Sequence, residues 1–273
     1  EDAAVPKVAH NGKYDMTVLA EYGVTVNNVA FDTMVAAHLL SEQSLGLKAL
    51  AFNRLGVEMT PISELIGSGA KQISMAQVEI EKAGDYACAD ADMTLSLAEL
   101  LEAELRQQGL WKLFAEVEMP LVPILLDMER SGIALDTDLL RGLSHRLGER
   151  LLKLEVDIYN SVGHQFNINS SQQLGAVLFE ELGLPSGRKK GGSYSTAAPV
   201  LEALREVHPI AGLILDYRQL SKLKSTYIDS LPGLINPKTG RVHTSFNQTR
   251  TTTGRLSSSN PNLQNIPIRG ELG

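Results

Sequence analysis

Two short clusters in the first third of the chain hold residue types able to do chemistry. The run HNGKYDMTVL places Asn11 and Asp15 around a turn, and the run DYACADADMTL places Tyr86 and Asp90 four residues apart. On a helix that spacing puts both side chains on one face. A carboxylate there can bind a metal ion while a phenol orients an attacking water. Each cluster alone also has a plainer reading. An aspartate in a first helical turn is a favourable charge beside the helix dipole, and Tyr86–Asp90 is a surface pair. A third stretch, Phe246 to Arg269 (FNQTRTTTGRLSSSNPNLQNIPIR), contains no acid. Its cations Arg250, Arg255 and Arg269 sit among Thr, Ser, Asn and Gln. Such a stretch cannot build a packed core. It can touch a polyanion and donate hydrogen bonds to it, although a polar loop between two elements has the same composition.

The elements that must position these residues follow from periodicity. Lys7 to His10 reads as a short strand, Asn11-Gly12 as its turn, and Lys13 to Glu21 as a helix. Helices are expected at Phe31–Leu40 and at Leu45–Leu55, the latter stopped by Gly56, with a loop from Thr60 to Lys71. A long helix from Gly84 to about Gln107 carries Tyr86 and Asp90, and Leu110–Phe114 and Glu116–Arg130 follow as separate helices closed by Gly132. Asp136 can cap a long amphipathic helix whose Leu140, Leu143, Leu147, Leu151, Leu154 and Ile158 recur every three or four residues. That stripe is core packing, one half of a helix pair. Asn169-Ser170 caps a helix from Ser171 to Leu182, a loop from Pro185 to Ser195 carries Arg188, Lys189 and Lys190, and a helix starts at Ser195 or Thr196. On the helix Pro209–Asp229, Arg218, Lys222 and Ser225 share one face, and Leu213, Tyr217, Leu220 and Tyr227 another. Arg241 to Thr249 alternates like a strand.

Charge is uneven. Residues 1–115 hold 8 Lys/Arg against 16 Asp/Glu, residues 116–185 hold 5 against 11, and residues 186–273 hold 12 against 5. The acidic front suits carboxylates that gather metal ions, and the basic tail suits nucleic acid. The single Cys88 excludes an intrachain disulfide and fits a reducing compartment. The longest apolar run, Leu121–Leu126, is interrupted by Pro123 and far too short to span a bilayer, and EDAAVPKVAHNGK is not a signal peptide. A cytoplasmic protein without membrane partners is expected.

The order of residues is more specific than composition. Thr-Thr-Gly-Arg-Leu-Ser-Ser followed by Asn-Pro-Asn-Leu-Gln-Asn-Ile-Pro resembles the start of the palm in family A DNA polymerases. The string Tyr-Arg-x-Leu-x-Lys-Leu-Lys from Tyr217, with SYSTAAPVLEAL before it, resembles the thumb of that family. HNGKYDMTVL and DYACADADMTL resemble its second and third 3′–5′ exonuclease motifs. The resemblance implies an α/β front domain, a partial ribonuclease-H-like exonuclease, over 1–115. A mainly α-helical thumb with its preceding helix follows over 116–235, and the beginning of an α+β palm over 236–273. It implies Asp15, Tyr86 and Asp90 as exonuclease residues, with Asp15 and Asp90 binding Mg²⁺ in a two-metal site. It implies DNA contacts from Asn11, Arg218, Lys222, Lys224, Thr251, Arg255, Asn262, Gln264 and Asn265. The implied activity is template-directed DNA synthesis in replication and repair, by a monomer acting on primer–template DNA and deoxynucleoside triphosphates.

A physical reason for the palm motif can be given directly. Purine N3 and pyrimidine O2 are minor-groove acceptors present in every base-pair orientation. Donors such as Arg255, Gln264 and Asn265 can therefore test pair geometry without reading sequence. Arg250 and Asn260 depart from the common pattern, where a small or apolar residue and an acid are more usual. The exonuclease class also uses an Asp-x-Glu strand, and none precedes Asp15. Asp127-Met128-Glu129 comes later, on an expected helix where residues two apart face different ways, and is read as a decoy. The resemblance also implies polymerase metal carboxylates after Asn-Leu-Gln-Asn-Ile-Pro, in an Asp-Tyr-Ser-type strand and a His-Asp-type turn that this sequence does not contain, so the chain is expected to be a fragment that binds DNA but does not polymerise alone. A non-enzymatic DNA-binding module and a stand-alone 3′–5′ exonuclease remain as alternatives.

Overall fold

The computed structural model describes residues 1–185 and 194–266. The expected basic loop residues Arg188, Lys189 and Lys190, and Arg269, lie outside them. By contact the chain falls into two units, Glu1–Gly132 with Thr244–Gln264, and Ile133–His243 with the residues from Asn265.

In the first unit, strand β1 (Lys7–Ala9) leads to Asn11, whose left-handed backbone (φ 57°) turns the chain into helix α1 (Gly12–Glu21). Strand β2 (Val29–Asp32) lies parallel to β1, with Val8 opposite Phe31 and Ala9 opposite Asp32. The helix expected from Phe31 therefore begins only at Thr33, as α2 (Thr33–Leu39). Asp32 causes the change. Its carboxylate caps α2 by accepting from Met34 N at 2.9 Å and Val35 N at 3.3 Å. The same group accepts from Asn11 N at 3.1 Å and Gly12 N at 2.7 Å, so it also ties the β1–α1 turn to β2.

Helix α3 (Leu47–Leu50) widens into a π-type turn, Ala51–Leu55, and stops at Gly56 with φ 70°. The expected loop beyond Thr60 contains a short helix, α4 (Ile62–Ile66). Helix α5 (Ile80–Gln107) starts four residues before Gly84. Its Leu97, Leu101 and Leu105, one turn apart, are buried against Phe31, Val35, Leu50 and Phe114. Each such leucine contributes about 1.5–3 kcal/mol by leaving water. Helix α6 (Trp111–Leu113) runs through a π-type turn, Phe114–Glu118, into α7 (Met119–Ser131). The two helices read separately from sequence are thus continuous, and Gly132 ends them with φ 62°. Strand β3 (Ser245–Asn247) pairs antiparallel with β4 (Ser257–Ser259), Phe246 opposite Ser258.

In the second unit, Asp136 caps α8 (Thr137–Val162) through Leu139 N at 2.9 Å. The leucine stripe of α8 packs as expected: Leu147 is buried with Leu220 and Ile228, and Leu140, Leu143, Leu151 and Leu154 lie against that cluster. Ser170 caps α9 (Ser171–Ala176), which continues to Glu181. Helix α10 (Ala198–Leu204) begins two residues after Thr196, with Pro199 in its first turn, where a missing N–H costs nothing. Helix α11 (Pro209–Leu223) continues to Ile228. A second core joins Ile158 of α8 with Leu174, Leu201, Ile210 and Ile214. Of the strand expected over Arg241–Thr249, only Ser245–Asn247 forms; Val242 instead bridges Ile133.

Candidate functional site

Asp15 on α1 and Tyr86 and Asp90 on α5, distant in sequence, line one open cavity of about 930 Å³ together with His10 and Lys48. The parallel β1–β2 pair and its Asp32 clamp set the start of α1, and the leucine face of α5 sets the height of Tyr86 and Asp90. Burial, and then the charge of Asp32, push the Asp15 carboxyl above the usual carboxylate range. Both influences disfavour a second negative charge in the cavity. Burial lowers the His10 pKa against the pull of Asp32 and Asp90, which favours the neutral ring; its Nδ1 lies 2.8 Å from Thr33 Oγ1.

One oxygen of Asp90, Oδ1, is buried without a hydrogen-bond partner. A buried carboxylate oxygen left unpaired is costly unless something else satisfies it. A cation is the simplest candidate. Among the described residues no group of three or more His, Cys, Asp or Glu side chains is arranged to hold a metal ion. Mg²⁺ does not demand one: it is commonly held by one or two carboxylates, with phosphate oxygens and water completing the octahedron. Asp15 and Asp90 fit that pattern.

Sequence reasoning missed three residues here. Asp32 is 2% exposed and holds four backbone amides, so it organises the site without lining the cavity. Lys48 places its Nζ 4.2 Å from the Tyr86 ring centroid and donates to the Thr60 carbonyl. A cation over an aromatic face is worth about 0.5–2 kcal/mol and fixes ring orientation. Glu129, from the Asp-x-Glu read as a decoy, does not line the cavity; it accepts from Lys13 Nζ and from Phe246 N. Only the Asp32 role had a readable signal, an Asp before a helix-forming Thr-Met-Val-Ala-Ala run.

The expected DNA contacts divide into free and engaged side chains. Arg255 is exposed and its guanidinium has no partner among the described residues. Gly254 before it has φ 70°, and its position faces open space. Thr251 Oγ1 donates to the Arg255 carbonyl. Gln264 accepts from Ser258 N at 3.2 Å and donates to Leu256 O at 2.8 Å, and Asn262 accepts from Gln264 N at 3.0 Å. These three polar side chains therefore shape the loop that presents Arg255. Asn260 takes φ 56°, a left-handed conformation that asparagine tolerates. Asn11 is exposed, makes no cap bond, and lines a groove of about 250 Å³ with Gln248 and Arg250.

In the second unit, the Asn265 carbonyl accepts from Tyr227 Oη at 2.7 Å. Arg218 is turned inward: its two Nη atoms donate to the carbonyl and to Oγ1 of Thr196, the latter at 3.1 Å. Lys224 donates to Ser144 Oγ at 3.0 Å and Asp229 Oδ2 at 2.6 Å. Of the three cations expected on this helix, Lys222 alone is exposed without a partner among the described residues.

Residues 137–273 match the family described as DNA polymerase family A, and residues 1–106 the family described as 3′-5′ exonuclease. The chain is 52% identical over 276 residues to DNA polymerase I of Chloroflexus aurantiacus, covering 98% of this chain and 29% of that protein. It is 44% identical over 280 residues to DNA polymerase I of Pseudomonas aeruginosa, covering 100% of this chain and 31% of the relative. Among solved structures, the POL domain of Pol1 from M. smegmatis in complex with DNA primer-template and dNTP matches with TM-score 0.85 and 35% identity. That match covers 99% of this chain and 44% of the other. The chain thus spans less than a third of the length of these two curated relatives.

Proposed function

The chain belongs to DNA polymerase family A, and on that premise we propose that it is the segment of a DNA-polymerase-I-type enzyme that joins 3′-end trimming to primer binding. In this reading residues 1–115 are part of a ribonuclease-H-like 3′–5′ exonuclease, 116–235 the thumb, and 236–273 the start of the palm. The observation that carries it is the convergence of Asp15, Tyr86 and Asp90 on one cavity with a buried, unpartnered Asp90 oxygen.

Asp15 and Asp90 would hold Mg²⁺, which when bound supplies an activated water and neutralises phosphate charge. The Tyr86 phenol orients the attacking water at the 3′-terminal phosphodiester, and Lys48 holds the ring that carries it. Asn11 holds the single strand that enters. Arg255 offers its donor fork to the minor-groove acceptor common to all pairs, testing the primer terminus for correct geometry. Lys222 contacts the phosphate backbone. The match of residues 137–273 to the polymerase family favours this reading over a stand-alone exonuclease or a DNA-binding module.

The test uses the intact protein with a labelled primer–template and Mg²⁺. Extension of a matched primer with deoxynucleoside triphosphates, and shortening of a mismatched primer without them, are expected. Trimming without any extension would instead favour the stand-alone exonuclease.

A further inference from the structure

Lys13 follows the Asn11-Gly12 turn and precedes Asp15 by two residues on α1. Its Nζ donates to Glu129 Oε1 on α7 and, at 2.8 Å, to the carbonyl of Phe246 on β3. The Phe246 N–H donates to the same Glu129 oxygen at 2.6 Å. Both polar groups of one β3 residue are therefore held, the carbonyl by the ammonium and the amide by the carboxylate. The ion pair is mostly shielded, with 18% and 13% of the two side chains exposed. Charges sheltered to this degree are tolerable when hydrogen bonds satisfy them, and removing one partner leaves the other uncompensated.

The attachment of this strand continues beyond Phe246. Gln248 Nε2 donates to the Glu118 carbonyl at 2.8 Å and to its carboxylate, and Thr249 Oγ1 lies 3.7 Å from Met34 Sδ. Two residues later begins the Thr251–Arg255 loop. The helix carrying Asp15 and the strand leading to Arg255 thus share a single anchoring carboxylate.

We propose that Glu129 is a positioning residue that sets the trimming helix through Lys13 and the synthesis strand through the Phe246 amide, and so balances trimming against extension. The inference rests on the function proposed above. Neither Lys13 nor Glu129 touches the reacting atoms; each acts by placing others. Displacement of a reacting group by about 1 Å can cost roughly a hundredfold in rate, so small shifts of α1 suffice.

The two arms can be cut separately in the intact enzyme. Lys13→Met removes the α1 arm together with the bond to the Phe246 carbonyl, and leaves Glu129 holding the Phe246 amide. Glu129→Gln keeps an oxygen for the Phe246 amide but loses the ion pair. Glu129→Ala removes both. Trimming of a mismatched primer and extension of a matched one are measured on one active-site-titrated preparation, with melting curves beside them. Lys13→Met and Glu129→Gln should lower trimming by roughly ten- to a hundredfold and leave extension within about twofold. Glu129→Ala should lower both, and Lys13→Arg should restore part of the trimming. Loss of folded protein alone lowers both activities together and cannot move their ratio. An unchanged trimming-to-extension ratio in Lys13→Met and Glu129→Gln would overturn the proposal. Asp15→Ala separates the two possible failures. If Asp15→Ala abolishes trimming while Lys13→Met does not alter it, the anchor alone is wrong. If Asp15→Ala trims like wild type, the trimming site itself is misplaced and the anchor falls with it.

Discussion

Arg218 and Lys222, four residues apart on α11, read alike in the sequence yet should respond differently to mutation. Arg218 donates through both Nη atoms to Thr196, which is 6% exposed. Hydrogen bonds from a charged donor contribute about 1.5–3 kcal/mol, so Arg218→Ala should destabilise the protein by about 2 kcal/mol. Lys222 is exposed and holds nothing among the described residues, so Lys222→Ala should stay within about 0.5 kcal/mol of wild type. On DNA the order reverses. A cation that neutralises one phosphate adds about 0.9 to the slope of log affinity against log salt. Lys222→Ala should lower the slope by that amount, making its deficit about threefold smaller at 200 mM than at 50 mM salt. Arg218→Ala should leave the slope unchanged. Fluorescence anisotropy of a labelled primer–template over a salt series, with thermal melting of the same proteins, reads both quantities. An Arg218→Ala protein that melts like wild type and loses about one unit of slope would refute the assignment.

Three further outcomes follow from the geometry. A Cβ at Gly12 would lie 2.7 Å from the Ala9 Cβ in a buried turn, so Gly12→Ala should cost about 1–3 kcal/mol in denaturant unfolding and weaken trimming. The Lys224 hydrogen bond, then that from Ser144, holds the Asp229 carboxyl below its ordinary value of 3.8. That stability is complete above the ordinary value and is lost as pH falls through the depressed one. Lys224→Met should therefore cost at most about 1 kcal/mol at neutral pH, with the difference closing in acid. Replacing the primer-terminal purine by its 3-deaza analogue should slow wild-type extension but add nothing to Arg255→Ala; losses that simply add would remove Arg255 from that atom.

Much of the local structure was legible because it depends on near neighbours in the sequence. Tyr86 and Asp90 share a helix face by spacing, Asp136 announces its helix, and the leucine stripe of α8 declares a buried side. What escaped the sequence depends on partners far along the chain. Asp32 becomes a four-amide clamp only when β2 lies beside β1, and the tertiary pairing overrode the helical pattern of Phe31–Leu40. Lys48 meets Tyr86 only after α3 packs on α5, and Glu129 meets Lys13 across 116 residues. Amphipathic patterning placed Arg218 on a polar face, yet its long side chain folds back to the Thr196 backbone. Periodicity gives the face of a helix but not the reach of a flexible side chain.

The central claim, that the cavity between α1 and α5 is a metal-dependent trimming site, is tested most directly by single-turnover shortening of a mismatched primer. Wild-type and Asp90→Asn forms of the intact protein are compared in Mg²⁺, with matched-primer extension on the same preparations. The substitution keeps volume and removes the charge, so folding is preserved while the ligand is lost. Trimming should fall to the limit of detection in Asp90→Asn while extension continues at the wild-type rate. An Asp90→Asn protein that trims as fast as wild type would show that the buried oxygen serves no metal, and the site would have to be sought elsewhere.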